Sequence, residues 1–145
     1  MTKILFICHG NICRSPLAEF LMKELVKREG READFEIASA ATSTEEIGNP
    51  VYPPIRRLLI EHGIDPTGKT ARQMTKADYE YYDFIICMDH YNLRNLSFIC
   101  DDKDNKVRLL LDRDVSDPWY SRDFKKAWDD IYEGCQKLYN ELFEE

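Results

Sequence analysis

Apolar residues along the chain occur in four short runs, separated by longer segments of helical character. The runs cover residues 3–8, 35–38, 84–88 and 107–111. Each run is short, bounded by polar or turn-forming residues, and rich in β-branched or aromatic side chains, which predicts buried strands. Helical patterns cover residues 15–30, 55–62, 76–81, 92–100 and 124–142. Because alternating strands and helices form right-handed crossovers, the pattern predicts an α/β fold with a parallel sheet and helices on both faces.

Composition and charge exclude several classes of protein. The 145 residues suit one domain over 1–145, and a content of 43% apolar and 32% charged residues excludes wholesale disorder. Apolar stretches are too short to span a bilayer and no signal peptide is recognisable, so we expect a cytoplasmic protein without membrane contact. Acidic residues outnumber basic ones by 27 to 20, a net charge of −7. Nucleic-acid binding is therefore not expected, and an anionic ligand would need a local binding site.

The cysteines do not form a pattern typical of disulfide-rich or zinc proteins. There are five of them, an odd number, with no Cys-x-x-Cys pair. We therefore expect reduced thiols and no metal. Cys87, Cys100 and Cys135 lie at core-type positions, where packing is their expected role. Cys8 and Cys13 lie instead at the end of the first predicted strand and in the segment that follows it.

The segment after the first strand carries the candidate chemistry, with the sequence Cys8-His-Gly-Asn-Ile-Cys-Arg-Ser15. Ligands of parallel sheets bind where a strand leads into the N-terminus of a helix. The predicted anion-binding nest consists of the backbone N–H groups of His9, Gly10, Asn11, Ile12, Cys13, Arg14 and Ser15. Gly10 and Asn11 readily adopt positive φ, and Arg14 offers a planar fork to phosphate oxygens. This setting favours the thiolate of Cys8, to which Ser15 can donate, and predicts a nucleophile facing a bound oxyanion.

A simpler interpretation is that Cys8 is a structural residue ending a buried strand and that Arg14 forms a surface ion pair. The position after a strand, the Gly-Asn pair, Ser15 and Pro16 together favour the functional interpretation, because proline is well placed in a first helical turn. The segment lacks Gly-Lys-Ser/Thr, so it is not a nucleotide-binding P-loop.

The motif Cys8-His-Gly-Asn-Ile-Cys-Arg-Ser-Pro-Leu-Ala-Glu19 resembles the signature of the low-molecular-weight protein tyrosine phosphatases. Further segments that fit the family are 39–43, 46–50, 62–64, 71–73, 87–89 and 117–118. The resemblance implies a four-stranded parallel sheet and the hydrolysis of phosphotyrosine and small aryl phosphates. It implies Cys8 as the nucleophile, Arg14 and the loop amides as phosphate ligands, a phosphocysteine intermediate, no metal and no cofactor. The expected partners are phosphotyrosine-containing proteins, and we expect a monomer or weak dimer.

A proton donor for the leaving oxygen is expected in the loop after the fourth strand. Asp117 precedes Pro118, which restricts it to extended geometry. The resemblance makes Asp117 the general acid and then the base that activates water. Trp119 and Tyr120 follow, and we expect them to wall the substrate cleft. The alternative is that these rings only pack against a neighbouring helix.

Supporting residues are also implied by the resemblance. Ser39 and His62 are expected to hydrogen-bond to Asn11 and to hold the loop in shape, although a lone histidine on an apolar helix face is usually a core residue. Cys13 has two interpretations. It is a small apolar filler, or it is a thiol that pairs reversibly with Cys8 and protects it from irreversible oxidation.

One position departs from the family pattern. Many members have an aromatic residue near the cleft rim, where this chain has Glu45, which removes a stacking wall and adds a negative charge. Ile12 favours a phenyl ring, whereas protein arginine phosphatases on the same scaffold typically have threonine there. The spacing of Cys87 and Cys100 does not match the resolving thiols of arsenate reductases. The open alternatives are an arginine phosphatase, an arsenate reductase, and a non-catalytic module that binds anions or senses redox state.

Overall fold

The four predicted strands pair in one sheet, and all of its pairings are parallel. In the computed structural model, which describes residues 1–143, the strands are β1 (Thr2–Cys8), β2 (Phe35–Ala41), β3 (Phe84–Cys87) and β4 (Val107–Leu109). Their order across the sheet is β2-β1-β3-β4. β1 is therefore central, with Ile4 facing Ile37 on one side and Phe84 on the other. This confirms the predicted α/β class and the four-stranded parallel sheet.

Helices cover both faces of the sheet, as predicted. They are α1 (Arg14–Arg28), α2 (Pro53–Glu61), α3 (Lys76–Tyr81), α4 (His90–Leu96), α5 (Pro118–Ser121) and α6 (Phe124–Phe143), with a 3-10 turn at Glu32–Asp34. Successive β1 side chains point to opposite faces, so Phe6 joins the core formed with α1, α2 and α6. Leu5 joins the second core, which contains Tyr79 of α3 and Leu96 of α4. Within residues 1–143, no helix is both long and apolar enough to cross a membrane.

Several element boundaries differ from the predicted ones, and three of the differences are informative. β2 continues three residues beyond the predicted 35–38, because its pairing with β1 extends to Cys8 opposite Ala41. α4 ends at Leu96 rather than near Cys100, and it begins earlier because Asp89 caps it by accepting from the Asn92 amide. The short helix α5 was not predicted. It forms because the Asp117 carboxylate caps it and a proline occupies its first turn.

Candidate active site

The loop between β1 and α1 lies at the carboxyl edge of the sheet, next to the ends of both neighbouring strands. Asn11 has the left-handed backbone that the sequence predicted, with φ of 62°. Gly10 does not have positive φ, so that expectation is wrong for this residue. A Cβ at Gly10 would lie 3.3 Å from Cγ of Glu46, a tight contact with a side chain that could relieve it by a small shift.

The thiol of Cys8 is enclosed by donors. The residue is 3% exposed, and its Sγ lies 3.0 Å from Oγ of Ser15. The backbone N–H of Asn11 donates to the same sulfur over 3.3 Å. Cys13 is the N-cap residue of α1, and within residues 1–143 no side chain accepts a capping hydrogen bond there. The first backbone N–H groups of the helix also have no acceptor within the helix. These amides and the helix dipole form an electropositive setting for an anion beside the sulfur.

Hydrogen bonds to neighbouring loops hold the guanidinium of Arg14 in one orientation. It is 3% exposed, and its Nη1 donates to Oδ2 of Asp89 (2.8 Å) and to the carbonyl of Val115 (3.0 Å). Its Nη2 donates to Oδ2 of Asp117 over 3.3 Å. Burial opposes the charged guanidinium, but the Cys8 sulfur and the Asp117 and Asp89 carboxylates outweigh it and raise the pKa of Arg14. Arg14 is therefore a permanent, preoriented cation.

Asp89 was not singled out from the sequence. The available signal was its position directly after β3, since β3 neighbours β1 and the carboxyl ends of parallel strands lie at one edge of the sheet. The segment 87–89 fits the family, but nothing in the motif itself assigns Asp89 to Arg14.

Asn11 is the centre of a buried hydrogen-bond network. Its Nδ2 donates to Oγ of Ser15 (2.8 Å) and to Oγ of Ser39 (2.9 Å), and its Oδ1 accepts from the Arg72 amide (3.2 Å). Ser39 in turn donates to Oε1 of Glu19 over 2.6 Å. The network fastens the left-handed residue of the loop to α1, to β2 and to the segment around Arg72. The Ser39 contact follows the prediction, whereas Glu19 and Arg72 were not identified in advance.

His62 does not take part in this network, which corrects the prediction. α2 ends at Glu61, so His62 is the helix cap rather than part of its apolar stripe. Its Nδ1 lies 2.8 Å from the Leu58 carbonyl, and its ring stacks on Trp128 at 4.2 Å between centroids. It is exposed and belongs to the packing of α2 against α6. A lysine lies near the network where His62 was expected. It is Lys69, whose Nζ donates to the Ser39 carbonyl over 2.9 Å.

Asp117 has an extended backbone, as Pro118 requires (φ −84°, ψ 109°), and its carboxylate lies at Nη2 of Arg14. Its Oδ1 accepts from the Trp119 amide over 3.0 Å, and its side chain is 28% exposed. Trp119 packs against Tyr52, with ring centroids 5.0 Å apart and planes inclined by 54°, and it also lines the cleft, so packing is not its only role. Tyr120 is 83% exposed at the cleft rim.

One cavity of about 370 Å³ collects most of the predicted site. Its lining residues that the sequence analysis had selected are Cys8, His9, Gly10, Ile12, Cys13, Arg14, Glu45, Asp117, Trp119 and Tyr120. Glu46 also lines it and was not predicted, although it adjoins Glu45 in the sequence. Asn11, Ser15 and Ser39 are buried behind the cavity, as supporting residues would be. His62 lines a different surface groove beside Trp128.

Cys13 is buried and lines the same cavity as Cys8. Burial, and then the charge of the Cys8 sulfur, raise the pKa of Cys13 to about 12. Cys13 is therefore a neutral thiol at physiological pH, and its protective role stays a prediction. Cys87 and Cys135 are fully buried in the core as expected, while Cys100 is half-buried.

Comparisons with known proteins agree with this geometry. The family model described as "Low molecular weight phosphotyrosine protein phosphatase" matches residues 3–145. A Gallus gallus protein of that name is 42% identical over 141 residues, covering 91% of this chain and 87% of the relative. The crystal structure of YfkJ from Bacillus subtilis has a TM-score of 0.95 and 34% identity, covering 99% of this chain and 96% of the other. The structure of DARP, a drosophila arginine phosphatase, has a TM-score of 0.89 and 26% identity, covering 98% of each chain.

The family match extends over nearly the whole chain, and so does the alignment with the Gallus gallus relative. The chain carries Cys8 and Arg14 in the loop that follows the central strand, where the motif places them. This chain belongs to the low molecular weight phosphotyrosine protein phosphatase family.

Proposed function

We propose that the protein hydrolyses phosphotyrosine, and small aryl phosphates, through a phosphocysteine intermediate on Cys8. The observation that carries this proposal is the position of the Cys8 sulfur. It lies 3.0 Å from the Ser15 hydroxyl and 3.3 Å from the Asn11 amide, at the N-terminus of α1 and beside the Arg14 guanidinium. A sulfur among such donors is placed to attack a phosphoryl group bound at the same amides.

Phosphate binding uses the loop amides and the part of Arg14 that Asp89 and Val115 do not contact. Both N–H groups of Nη1 are engaged, one by Asp89 and one by Val115. Phosphate oxygens therefore bind at Nε and Nη2, two donors that lie in one plane. A phosphate oxygen at Nη2 replaces the Asp117 carboxylate there, and Oδ2 of Asp117 is released toward the leaving oxygen.

The first chemical step transfers the phosphoryl group to sulfur. The Cys8 thiolate forms an Sγ–P bond while the P–O ester bond breaks, and its electron pair goes to the phenolic oxygen. Asp117 donates the proton that this oxygen needs. Arg14 and the amides stabilise the charge on the equatorial oxygens, which is the largest contribution expected in a phosphoryl transfer.

The second step regenerates the enzyme. Asp117, now ionised, takes a proton from a water molecule whose oxygen attacks phosphorus. The Sγ–P bond breaks with its electron pair returning to sulfur, and inorganic phosphate leaves. The Ser15 hydroxyl at 3.0 Å stabilises the departing thiolate.

An aromatic leaving group fits the walls of the cavity. Ile12 contributes an aliphatic surface and Trp119 an aromatic one, and both line the cavity that holds Cys8. A phenyl ring between them buries apolar area, which a guanidinium leaving group would not do as favourably. We therefore favour phosphotyrosine over phosphoarginine.

We further propose phosphotyrosine-containing proteins as the substrates, a cytoplasmic location, and a monomer or weak dimer. The location is supported by the cysteines, since all five are free thiols and such thiols persist in reducing compartments.

The test is phosphate release at pH 5 to 8 with EDTA present, comparing a phosphotyrosine peptide, a phosphoarginine peptide and p-nitrophenyl phosphate. We expect turnover of the tyrosine and nitrophenyl esters that Cys8→Ser abolishes, with Cys135→Ser as the matched control at a buried thiol outside the cavity. Faster turnover of phosphoarginine would contradict the assigned substrate class. Phosphate binding without turnover of any ester would contradict the enzymatic assignment.

A further inference from the structure

Two adjacent carboxylates, Glu45 and Glu46, stand at the mouth of the phosphate-binding cavity. Both line it together with Cys8 and Arg14. They lie in the segment 42–52, which packs against the phosphate-binding loop. Both the amide and the hydroxyl of Ser43 donate to the carbonyl of His9, at 3.1 and 2.9 Å. The position of these two charges is therefore tied to the loop that binds phosphate.

Local contacts hold both carboxylates at this place. Oε2 of Glu45 lies 3.0 Å from Nε2 of His9, and Oε2 of Glu46 accepts from the Asn49 amide group. Within residues 1–143, neither carboxylate forms an ion pair with a lysine or arginine. The Glu45 side chain is 68% exposed, so it is available to a ligand at the cleft mouth.

The charge balance of the cavity is unfavourable for a ligand that carries further negative charge. Of the described residues that line it, Arg14 is the one arginine, and Asp89 and Asp117 already contact it, while His9 beside Glu45 adds a positive charge only when it is protonated. Glu45 and Glu46 add two negative charges on the solvent side, in a protein whose net charge is −7. A dianionic phosphate must pass this rim, and any acidic side chain next to it is repelled again. A basic side chain at the rim removes this repulsion.

We propose that this acidic rim selects phosphotyrosine substrates that carry lysine or arginine next to the phosphotyrosine, an inference that rests on the proposed function. With the phosphate on Cys8 and the ring against Ile12 and Trp119, the flanking residues of the substrate cross the rim beside Glu45 and Glu46. The opposite charge sign is found on the Trp119 side, where Arg122 donates to the Tyr52 hydroxyl over 2.9 Å. The basic residue therefore belongs next to Glu45 and Glu46, away from Arg122.

The experiment compares three phosphotyrosine peptides of one length, with lysine, glutamine or glutamate at the positions flanking the phosphotyrosine. Each flank is changed separately, and kcat/KM is measured at low and high ionic strength. At low salt we expect the lysine peptide to exceed the glutamate peptide by about tenfold on one flank, since exposed charge pairs are individually weak and two carboxylates act together. At high salt the ratio should fall to roughly threefold or less.

The variant Glu45→Gln/Glu46→Gln should lower the lysine-to-glutamate ratio to about twofold or less at low salt. The matched control is Glu29→Gln/Glu61→Gln, which removes two exposed acidic charges outside the cavity and should keep the wild-type ratio and activity. Equal kcat/KM for the three peptides in the wild type would overturn the inference, as would a ratio that survives the rim variant. Hydrolysis of all three peptides at one rate leaves the proposed function standing, whereas hydrolysis of none refutes the function itself.

Discussion

The floor and the rim of the cleft are built in different ways. On the floor, Cys8, Asn11, Arg14 and Ser15 are all buried, and each takes part in hydrogen bonds to other buried side chains. On the rim, Glu45, Trp119 and Tyr120 are exposed, and their side chains make isolated contacts, such as Glu45 with His9 and Trp119 with Tyr52. Each floor residue has several hydrogen-bond partners, whereas the rim side chains are exposed and have few.

This difference separates the chemistry from the choice of substrate. A buried network with several partners per residue keeps donors aimed at the place where charge develops, so its residues tolerate little change. Exposed rim residues contribute weak, salt-dependent interactions that alter preference without disturbing the reacting groups. Substitutions on the floor should therefore change the rate on every substrate, and substitutions on the rim should change mainly the ratio between substrates.

The largest effect is expected for Arg14→Lys. Lysine keeps the positive charge but lacks the planar fork that contacts Asp89 and Val115 on one side and phosphate on the other. We expect kcat/KM for p-nitrophenyl phosphate to fall by about 100-fold or more. Arg113→Lys, at a half-exposed arginine that pairs with Asp130, serves as the control and should leave the rate unchanged. Activity within twofold of the wild type would show that a point charge suffices.

Asp117→Asn should have the next largest effect, and the effect should depend on the leaving group. Asparagine retains the ability to cap α5, so the change removes the proton donor with little loss of structure. We expect about a 100-fold loss of kcat/KM, which reports the first step, on phenyl phosphate and less than about tenfold on p-nitrophenyl phosphate, whose leaving group needs little protonation. An equal loss on both esters would remove Asp117 from the acid role.

Asn11 contributes to the loop both through its left-handed backbone and through its side-chain hydrogen bonds. Two substitutions separate the effects of these two features on activity and stability. Asn11→Gly keeps a residue that tolerates φ of 62° but removes the contacts to Ser15, Ser39 and the Arg72 amide. Asn11→Ala removes the contacts and adds backbone strain of roughly 1 kcal/mol. We expect kcat/KM to fall about tenfold in the glycine variant and further in the alanine variant, with stability following the same order in urea denaturation. Equal effects of the two variants would mean that the left-handed backbone is unimportant.

The smallest effect is expected for His62→Ala. Its ring packs on Trp128 and does not reach Asn11, so the loss is one aromatic contact, worth about 1 kcal/mol of stability. Activity should stay within about twofold of the wild type. A loss of kcat of more than tenfold, without unfolding, would return His62 to the group that supports the loop.

Much of the fold could be predicted from the pattern of apolar residues, because buried parallel strands are short apolar runs and surface helices are amphipathic. The sheet and both of its helical layers follow from this pattern. The end of β2 could not be predicted in this way, since the small residues after Ala38 give little signal and the strand continues only because β1 lies beside it. α5 was missed because it has four residues and depends on the cap that Asp117 provides.

The candidate site was predictable where its residues adjoin in sequence and less so where the fold assembles them. Cys8 to Ser15 form one segment, so their proximity is given by the chain itself. Asp89 contacts Arg14 across a separation of 75 residues, and only the strand order brings the two together. The expected contact of His62 with Asn11 was carried over from the resemblance, whereas in this chain α2 ends at Glu61 and the His62 ring stacks on Trp128.

The most direct test of the central claim is to detect the phosphoryl group on Cys8. Asp117→Asn is incubated with p-nitrophenyl phosphate, whose leaving group departs readily, while the missing carboxylate slows attack by water. After an acid quench, mass spectrometry of the peptide that contains Cys8 should show one added phosphoryl group. The double variant Cys8→Ser/Asp117→Asn should show none. Release of p-nitrophenol by Asp117→Asn without any phosphoryl group on Cys8 would contradict the account.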